Sequence, residues 1–137
     1  MEVINSFMTW IFKNRIGQIE NFKKNPIQVQ EAAFRELIEA GKRTEFGIEF
    51  GFEQVKSYAE FASQVPVFDY ESFKPYIEKT MQGKQDVIWN TDIEWFAKSS
   101  GTTGSRSKYI PVSEESLEEC HYKGGKDMVS LYVSNYP

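Results

Sequence analysis

The ten residues Ser99-Ser100-Gly101-Thr102-Thr103-Gly104-Ser105-Arg106-Ser107-Lys108 constrain the fold more than any other stretch. Glycine and short hydroxyl side chains in this density oppose both helix and strand, so the stretch forms a loop. It lies between two apolar, strand-like runs, Trp95-Phe96-Ala97 before it and Tyr109-Ile110-Pro111-Val112 after it. The fold must therefore present this loop from strands. Gly101 and Gly104 lack a Cβ, so backbone N–H groups can turn inward and approach a ligand closely. The hydroxyls of Ser99, Ser100, Thr102 and Thr103 add short, rotatable donors. Arg106 and Lys108 add positive charge. Such an assembly suits an anion with several oxygens, such as the polyphosphate of a nucleotide. Ser, Gly and Thr also make ordinary flexible linkers. The flanking strands and the basic far end favour the phosphate cradle. The loop is not of the G-x-x-x-x-G-K-[ST] type, because Gly101 and Gly104 have the wrong spacing and no Gly-Lys pair closes it. It is not G-x-G-x-x-G either.

Upstream of the loop the chain reads as helices. Ile4, Phe7, Met8, Ile11, Phe12, Ile16 and Ile19 recur at spacings of three and four, which predicts a helix over 2–23. Asn25-Pro26 breaks it, and Pro26 opens a second helix that ends at Gly41, with Val29, Ala32, Ala33, Leu37 and Ile38 as its apolar face. Residues 42–52 read as an irregular connection. Ser57 and Glu60 form a capping-box pattern for a short helix to Gln64. Val65 to Phe68 is extended. Asp69 caps a further helix with Phe68 and Phe73 as its staple; Pro75 interrupts or restarts that helix, and Gly83 stops it. Val87-Ile88-Trp89, Trp95 to Lys98 and Lys108 to Pro111 read as short strands. Ser113 caps a last helix, weakened by Gly124 and Gly125.

The chain has 137 residues and a net charge of −4, with no basic stripe, which argues against nucleic acid as a main partner. No apolar run approaches the length of a membrane span, and the apolar patch from Val3 to Phe12 lacks the features of a signal peptide. The single cysteine, Cys120, rules out an internal disulfide, fits a reducing cytoplasm, and reads as a small buried helix residue rather than a nucleophile. His121, the lone histidine, offers neither a metal cluster nor a triad. Eleven Phe, seven Tyr and three Trp demand more burial than a chain this short provides easily. Three short strands beside five helices likewise suggest the N-terminal piece of a longer protein.

Ser99-Ser100-Gly101-Thr102-Thr103-Gly104 resembles the phosphate loop of the adenylate-forming enzymes, the superfamily of acyl-CoA synthetases and firefly luciferase. Those enzymes commonly follow the loop with a short x-Pro-Lys; here Ser105-Arg106-Ser107 precede Lys108 and no Pro sits before it. Lys108-Tyr109-Ile110-Pro111 is similar to the ending found in the auxin-responsive acyl acid amido synthetases, the Gretchen Hagen family. Val65-Pro66-Val67-Phe68-Asp69-Tyr70-Glu71 with Pro75-Tyr76-Ile77 resembles that family's N-terminal signature. Thr44-Glu45-Phe46-Gly47, and Pro26 with Gln30, resemble its bacterial members. The similarity runs from Pro26 to the end.

The resemblance implies an α/β fold: the helix-rich N-terminal part of an adenylate-forming lobe, with a few short strands around the phosphate loop. Residues 1–137 would be an incomplete segment of the large domain, without its remainder and its C-terminal domain. It implies ATP- and Mg²⁺-dependent activation of a carboxylic acid to an acyl-adenylate, then transfer to an amine, often of an amino acid, to form an amide. Ser99, Ser100, Thr102 and Thr103 would be oxygen ligands, Gly101 and Gly104 would admit the backbone, and Lys108 would contact phosphate. No residue of this chain is expected to hold the metal. The chain's partners would be the two small molecules and the remainder of its own chain, with no nucleic acid and no membrane. By itself the chain is expected to be inactive. Two alternatives stay open: an acyl-CoA-forming adenylating enzyme, and a non-catalytic or truncated interaction module.

Overall fold

The computed structural model describes residues 2–100 and 107–136. The chain divides into two units, residues 1–31 with 115–137, and residues 32–114.

The first unit is built on helix α1, Glu2–Lys24, and helix α7, Lys123–Asn135, which pack on one another. Along α1 the expected apolar positions Phe12, Ile16 and Ile19 are half-buried, while the side chains of Ile4, Phe7, Met8 and Ile11 lie outside the described residues. Arg15 binds the Asp127 carboxylate through both Nε and Nη2, the second bond at 2.8 Å, so one guanidinium joins the two helices with paired donors. Ser130, fully buried on α7, donates back to the Lys126 carbonyl at 2.7 Å. The last helix begins as α6, Glu114–Ser116, continues as a π-helical stretch Leu117–Tyr122 and becomes α7. The irregular turn precedes Gly124 and Gly125, which sit inside regular helix. Cys120, expected as buried, is exposed, and lies on this π-helical stretch, none of whose side chains is buried.

The boundary between the units falls within helix α2, Pro26–Gly41. Pro26 takes the first helical position, where its missing N–H costs nothing. The buried face differs from the one expected. Phe34, Ile38 and Gly41 turn inward, whereas Ala32 and Ala33 are exposed and Leu37 is 56% exposed. The aromatic bulk of Phe34 sets this rotation, since its ring meets Phe61 edge-on at 5.8 Å. Residues 42–52 are more regular than their composition suggests. They hold helix α3, Glu45–Glu49, and are followed by a 3-10 turn, Phe52–Gln54. Helix α4, Tyr58–Gln64, carries the expected Ser57–Glu60 capping box. Helix α5, Tyr70–Met81, is capped by Asp69, whose side chain accepts from the Ser72 N–H. It runs through Pro75 without a break and stops before Gly83 at φ 89°.

Ile38, Phe52 and Val55 form the core of this unit, with Phe34, Phe46, Phe50, Phe61 and Val65 packed on them. Phe46 is the hub: its ring lies 4.6 Å from Phe50, 5.2 Å from Tyr76 and 5.6 Å from Phe73. Much of the aromatic content of the chain is spent here.

Strands β1, Trp95–Lys98, and β2, Tyr109–Val112, form a two-stranded antiparallel sheet. Val87-Ile88-Trp89 does not make the expected third strand. Asp86 turns the chain at φ 56°, and the carbonyls of Asp86 and Val87 instead accept the N–H groups of Glu45 and Phe46 at 2.8 and 2.9 Å. That satisfies donors in the first turn of α3 that the helix itself cannot. The fold is thus a helix-rich α/β arrangement with one small sheet beside the loop, as expected.

Candidate functional site

The antiparallel register pairs Trp95 with Val112, Phe96 with Pro111, Ala97 with Ile110 and Lys98 with Tyr109. The hydroxyl-rich loop is therefore the connection of a hairpin. Its neck is closed by two bonds. The Ser99 N–H donates to the Lys108 carbonyl at 2.9 Å, and the Lys108 N–H donates to Ser99 Oγ at 3.1 Å. Ser99 and Lys108, the first and last residues of the motif, thus face one another across the neck. Ser99 is half-buried and Ser100 exposed. Gly101, Thr102, Thr103 and Gly104, together with Ser105 and Arg106, lie outside the described residues.

A brace comes from α5. Tyr70, its first residue, accepts from the Tyr109 N–H at 2.9 Å and directs its own hydroxyl at the Tyr109 carbonyl, 3.3 Å away. The Lys108 ammonium lies over the Tyr70 ring, 5.2 Å from its centroid. On the other strand, the Lys98 ammonium lies 5.9 Å from the Tyr109 ring centre. Two cations therefore flank the neck, each resting on an aromatic face within the reach of a cation–π attraction. Asp69 anchors Tyr70 by capping α5, accepting from the Ser72 N–H at 2.8 Å. The hydrogen bonds from Ser72 hold the Asp69 carboxyl below its ordinary range, and the charge of Lys108 adds to the effect.

The geometry can hold a rigid neck with positive charge beside it, which is what a multi-oxygen anion requires. Of the residues expected from the sequence, the structure brings Ser99 and Lys108 together. Tyr70 and Lys98 also stand at the neck, two residues not counted among the expected site residues. The available signal was positional: Tyr70 directly follows the capping Asp69 in the Val65–Ile77 stretch. A separate open cleft is lined by Arg35, Glu36, Glu39, Ala40, Lys42, Arg43 and Asn90. There Lys42 donates to Glu39 at 2.7 Å, so its charges answer each other in part. Among the described residues no group of three His, Cys, Asp or Glu side chains is placed to hold a metal ion.

A family model, the GH3 family N-terminal domain, matches residues 15–137. The chain is 34% identical to the indole-3-acetic acid-amido synthetase GH3.2 of Arabidopsis thaliana over 118 residues, covering 84% of this chain and 22% of that protein. It is 29% identical to the 4-substituted benzoates-glutamate ligase GH3.12 of the same plant, covering 85% of this chain and 23% of that one. The solved structure of the GH3.15 acyl acid amido synthetase superposes with a TM-score of 0.76 at 28% identity, covering 85% of this chain and 21% of the other. The chain thus spans little more than a fifth of the length of these relatives.

Proposed function

This chain belongs to the GH3 family, and from that premise we propose that it is the N-terminal segment of an amide-forming ligase and supplies that enzyme's phosphate loop. The reaction begins with attack of a carboxylate oxygen on the α-phosphorus of ATP. The bond to the β-phosphate breaks, pyrophosphate leaves, and an acyl-adenylate of the adenylate-forming kind results. The amine of an amino acid then attacks the acyl carbon, AMP departs, and an amide forms.

The observation that carries this reading is the hairpin neck, with Ser99 and Lys108 locked together and Lys108 supported by Tyr70. The first step brings like charges together, so fixed donors and cations around the phosphates lower its barrier. Lys108 would neutralise phosphate charge. Ser99, Ser100, Thr102 and Thr103 would donate to phosphate oxygens, and Gly101 and Gly104 would let the backbone approach. Mg²⁺ is proposed as the ion that travels with ATP on its phosphate oxygens. No residue of this chain is assigned to it. The remaining parts of the site, including the adenine and acyl pockets, belong to the rest of the longer protein. The bacterial likeness of Thr44–Gly47 and of Pro26 with Gln30 is part of the proposal, as is a cytoplasmic setting, which the lone exposed thiol of Cys120 supports.

The test is ATP–pyrophosphate exchange in the full-length protein. Thr103→Val and Lys108→Ala should each slow exchange by at least about tenfold while leaving the fold intact. Unchanged exchange in both variants overturns the phosphate-loop assignment. Offering amino acids and coenzyme A as competing acceptors separates amide formation from thioester formation. A non-catalytic docking module is the second reading, favoured by the exposed rings of Trp95, Tyr132 and Tyr136, each 65% exposed or more. Absence of exchange with every carboxylic acid tried would favour it.

A further inference from the structure

We propose that Tyr70 is the positioning residue of the loop neck, clamping the backbone next to Lys108 with its hydroxyl while its ring seats the Lys108 ammonium. The inference rests on the phosphate-loop reading and deepens it.

Among the described residues, strand β2 has one sheet neighbour, β1. At Tyr109 both backbone polar groups turn to Tyr70, with the N–H donating to the phenol oxygen at 2.9 Å and the carbonyl 3.3 Å from it. One phenol thus does for this residue what a further strand would do. The contact is long-range, 39 residues apart in the chain, so it fixes the hairpin neck to a helix rather than to a local turn. Tyr70 has little freedom itself. It is the first residue of a twelve-residue helix and lies inside the capping box formed by Asp69 and Ser72.

The ring serves the adjacent residue. A lysine is a compact charge on a flexible four-carbon stem, free to sweep a wide arc. Lys108 is instead seated 5.2 Å from the Tyr70 centroid. The same side chain therefore holds the peptide that follows Lys108 and the ammonium of Lys108, so the cation sits in a defined place at the loop's exit before any anion arrives. Preorganised charge of this kind acts on the transition state without reorganising during the reaction.

Two variants divide the roles. Tyr70→Phe keeps the ring and removes the hydroxyl, and Tyr70→Leu removes both. In this chain, the Lys108 ε-methylene protons should show an upfield ring-current shift that persists in Tyr70→Phe and vanishes in Tyr70→Leu. In the full-length protein, Tyr70→Leu should lower kcat/KM for ATP in ATP–pyrophosphate exchange roughly three- to tenfold, with KM for the carboxylic acid unchanged. Tyr70→Phe should recover part of the loss. A merely structural tyrosine would move both KM values together and lower the melting temperature in proportion. The proposal is overturned by an unshifted Lys108 resonance in the unaltered chain. It is equally overturned if Lys108→Ala slows exchange while Tyr70→Leu does not. Should Lys108→Ala leave exchange unchanged while the ring-current shift is present, this role falls; should Thr103→Val leave it unchanged as well, the phosphate-loop reading falls with it.

Discussion

Thr44 is 1% exposed, and its hydroxyl joins the end of α2 to the start of α3. It donates to the Gly41 carbonyl at 2.7 Å and accepts from the Gly47 N–H at 3.0 Å. A Cβ on Gly47 would stand 2.0 Å from the Gly41 carbonyl oxygen, so the position admits only glycine. Thr44→Val should therefore lower the unfolding free energy by about 1–2 kcal/mol, by removing a buried cap. Gly47→Ala should lower it by about 3 kcal/mol through backbone overlap. Urea midpoints with unchanged slopes would register both. Tyr76 gives a pH signature. Its hydroxyl donates to Glu49 at 2.9 Å, and burial first, then that carboxylate, pushes its pKa from the ordinary 10.0 up to about 12. The unfolded chain releases this proton first as pH rises, so the stability Tyr76 contributes is complete below pH 10.0 and is lost toward pH 12. Tyr76→Phe should flatten that part of the stability–pH curve relative to the unaltered chain. Residues with local roles were legible in the sequence, as Ser57 and Asp69 were from capping patterns. The brace of Tyr70 was not, because its partner Tyr109 lies 39 positions along the chain. The cap of Thr44 was missed because its stretch read as an irregular connection, although Gly41 and Gly47 are only three positions to either side.

Helix α5 shows where local rules suffice and where they stop. Its cap and its staple are both present, with the Phe68 and Phe73 rings 5.6 Å apart. Pro75 was expected to interrupt or restart it on the way to Met81; the helix runs through Pro75 unbroken, with Tyr76 and Ile77 buried directly after it. Asp69→Ala should cost about 1 kcal/mol of stability. Because α5 carries the Tyr70 brace, it should also broaden the Tyr109 amide resonance, which two-dimensional NMR would reveal. Helix α3 illustrates the opposite limit. Five residues are too few for propensity to matter. Two of its first N–H groups are answered by Asp86 and Val87, some forty positions along the chain, so nearby only the Thr44 cap announces it. For the same reason Val87-Ile88-Trp89 looked like a strand: its apolar content reflects burial, Val87 being 1% exposed, and not pairing. In α7 the elements carry a reserve. A Cβ at Gly124 or Gly125 would meet nothing within 4 Å. Replacing both by Ala should raise stability by about 1–2 kcal/mol, measurable as a higher melting temperature.

At the scale of the molecule, the two units are held by different chemistry. The unit of residues 32–114 relies on ring packing around Phe46 and on the core of Ile38, Phe52 and Val55. The unit of residues 1–31 and 115–137 joins its ends through Arg15 and Asp127, which are 112 positions apart in the chain. Helical periodicity made α1 legible. It said nothing of its partner, since two helices far apart in sequence leave no spacing to read. The side chains of the pair are 13% and 28% exposed, so water screens their bonds only in part. The Asp127 carboxyl is accordingly held below its ordinary range, chiefly by its hydrogen bond from Arg15. Arg15→Ala removes both donors and leaves the carboxylate without its cation. It should cost about 1–3 kcal/mol and speed hydrogen exchange of the α1 and α7 amides. Arg15→Lys should recover only part of the protection, because a single ammonium cannot reproduce the paired contact of the guanidinium fork. Equal exchange in Arg15→Ala and the unaltered chain would mean that apolar packing of Phe12, Ile16 and Ile19 alone holds α1 to α7, and that the ion pair adds nothing to the joining of these two ends.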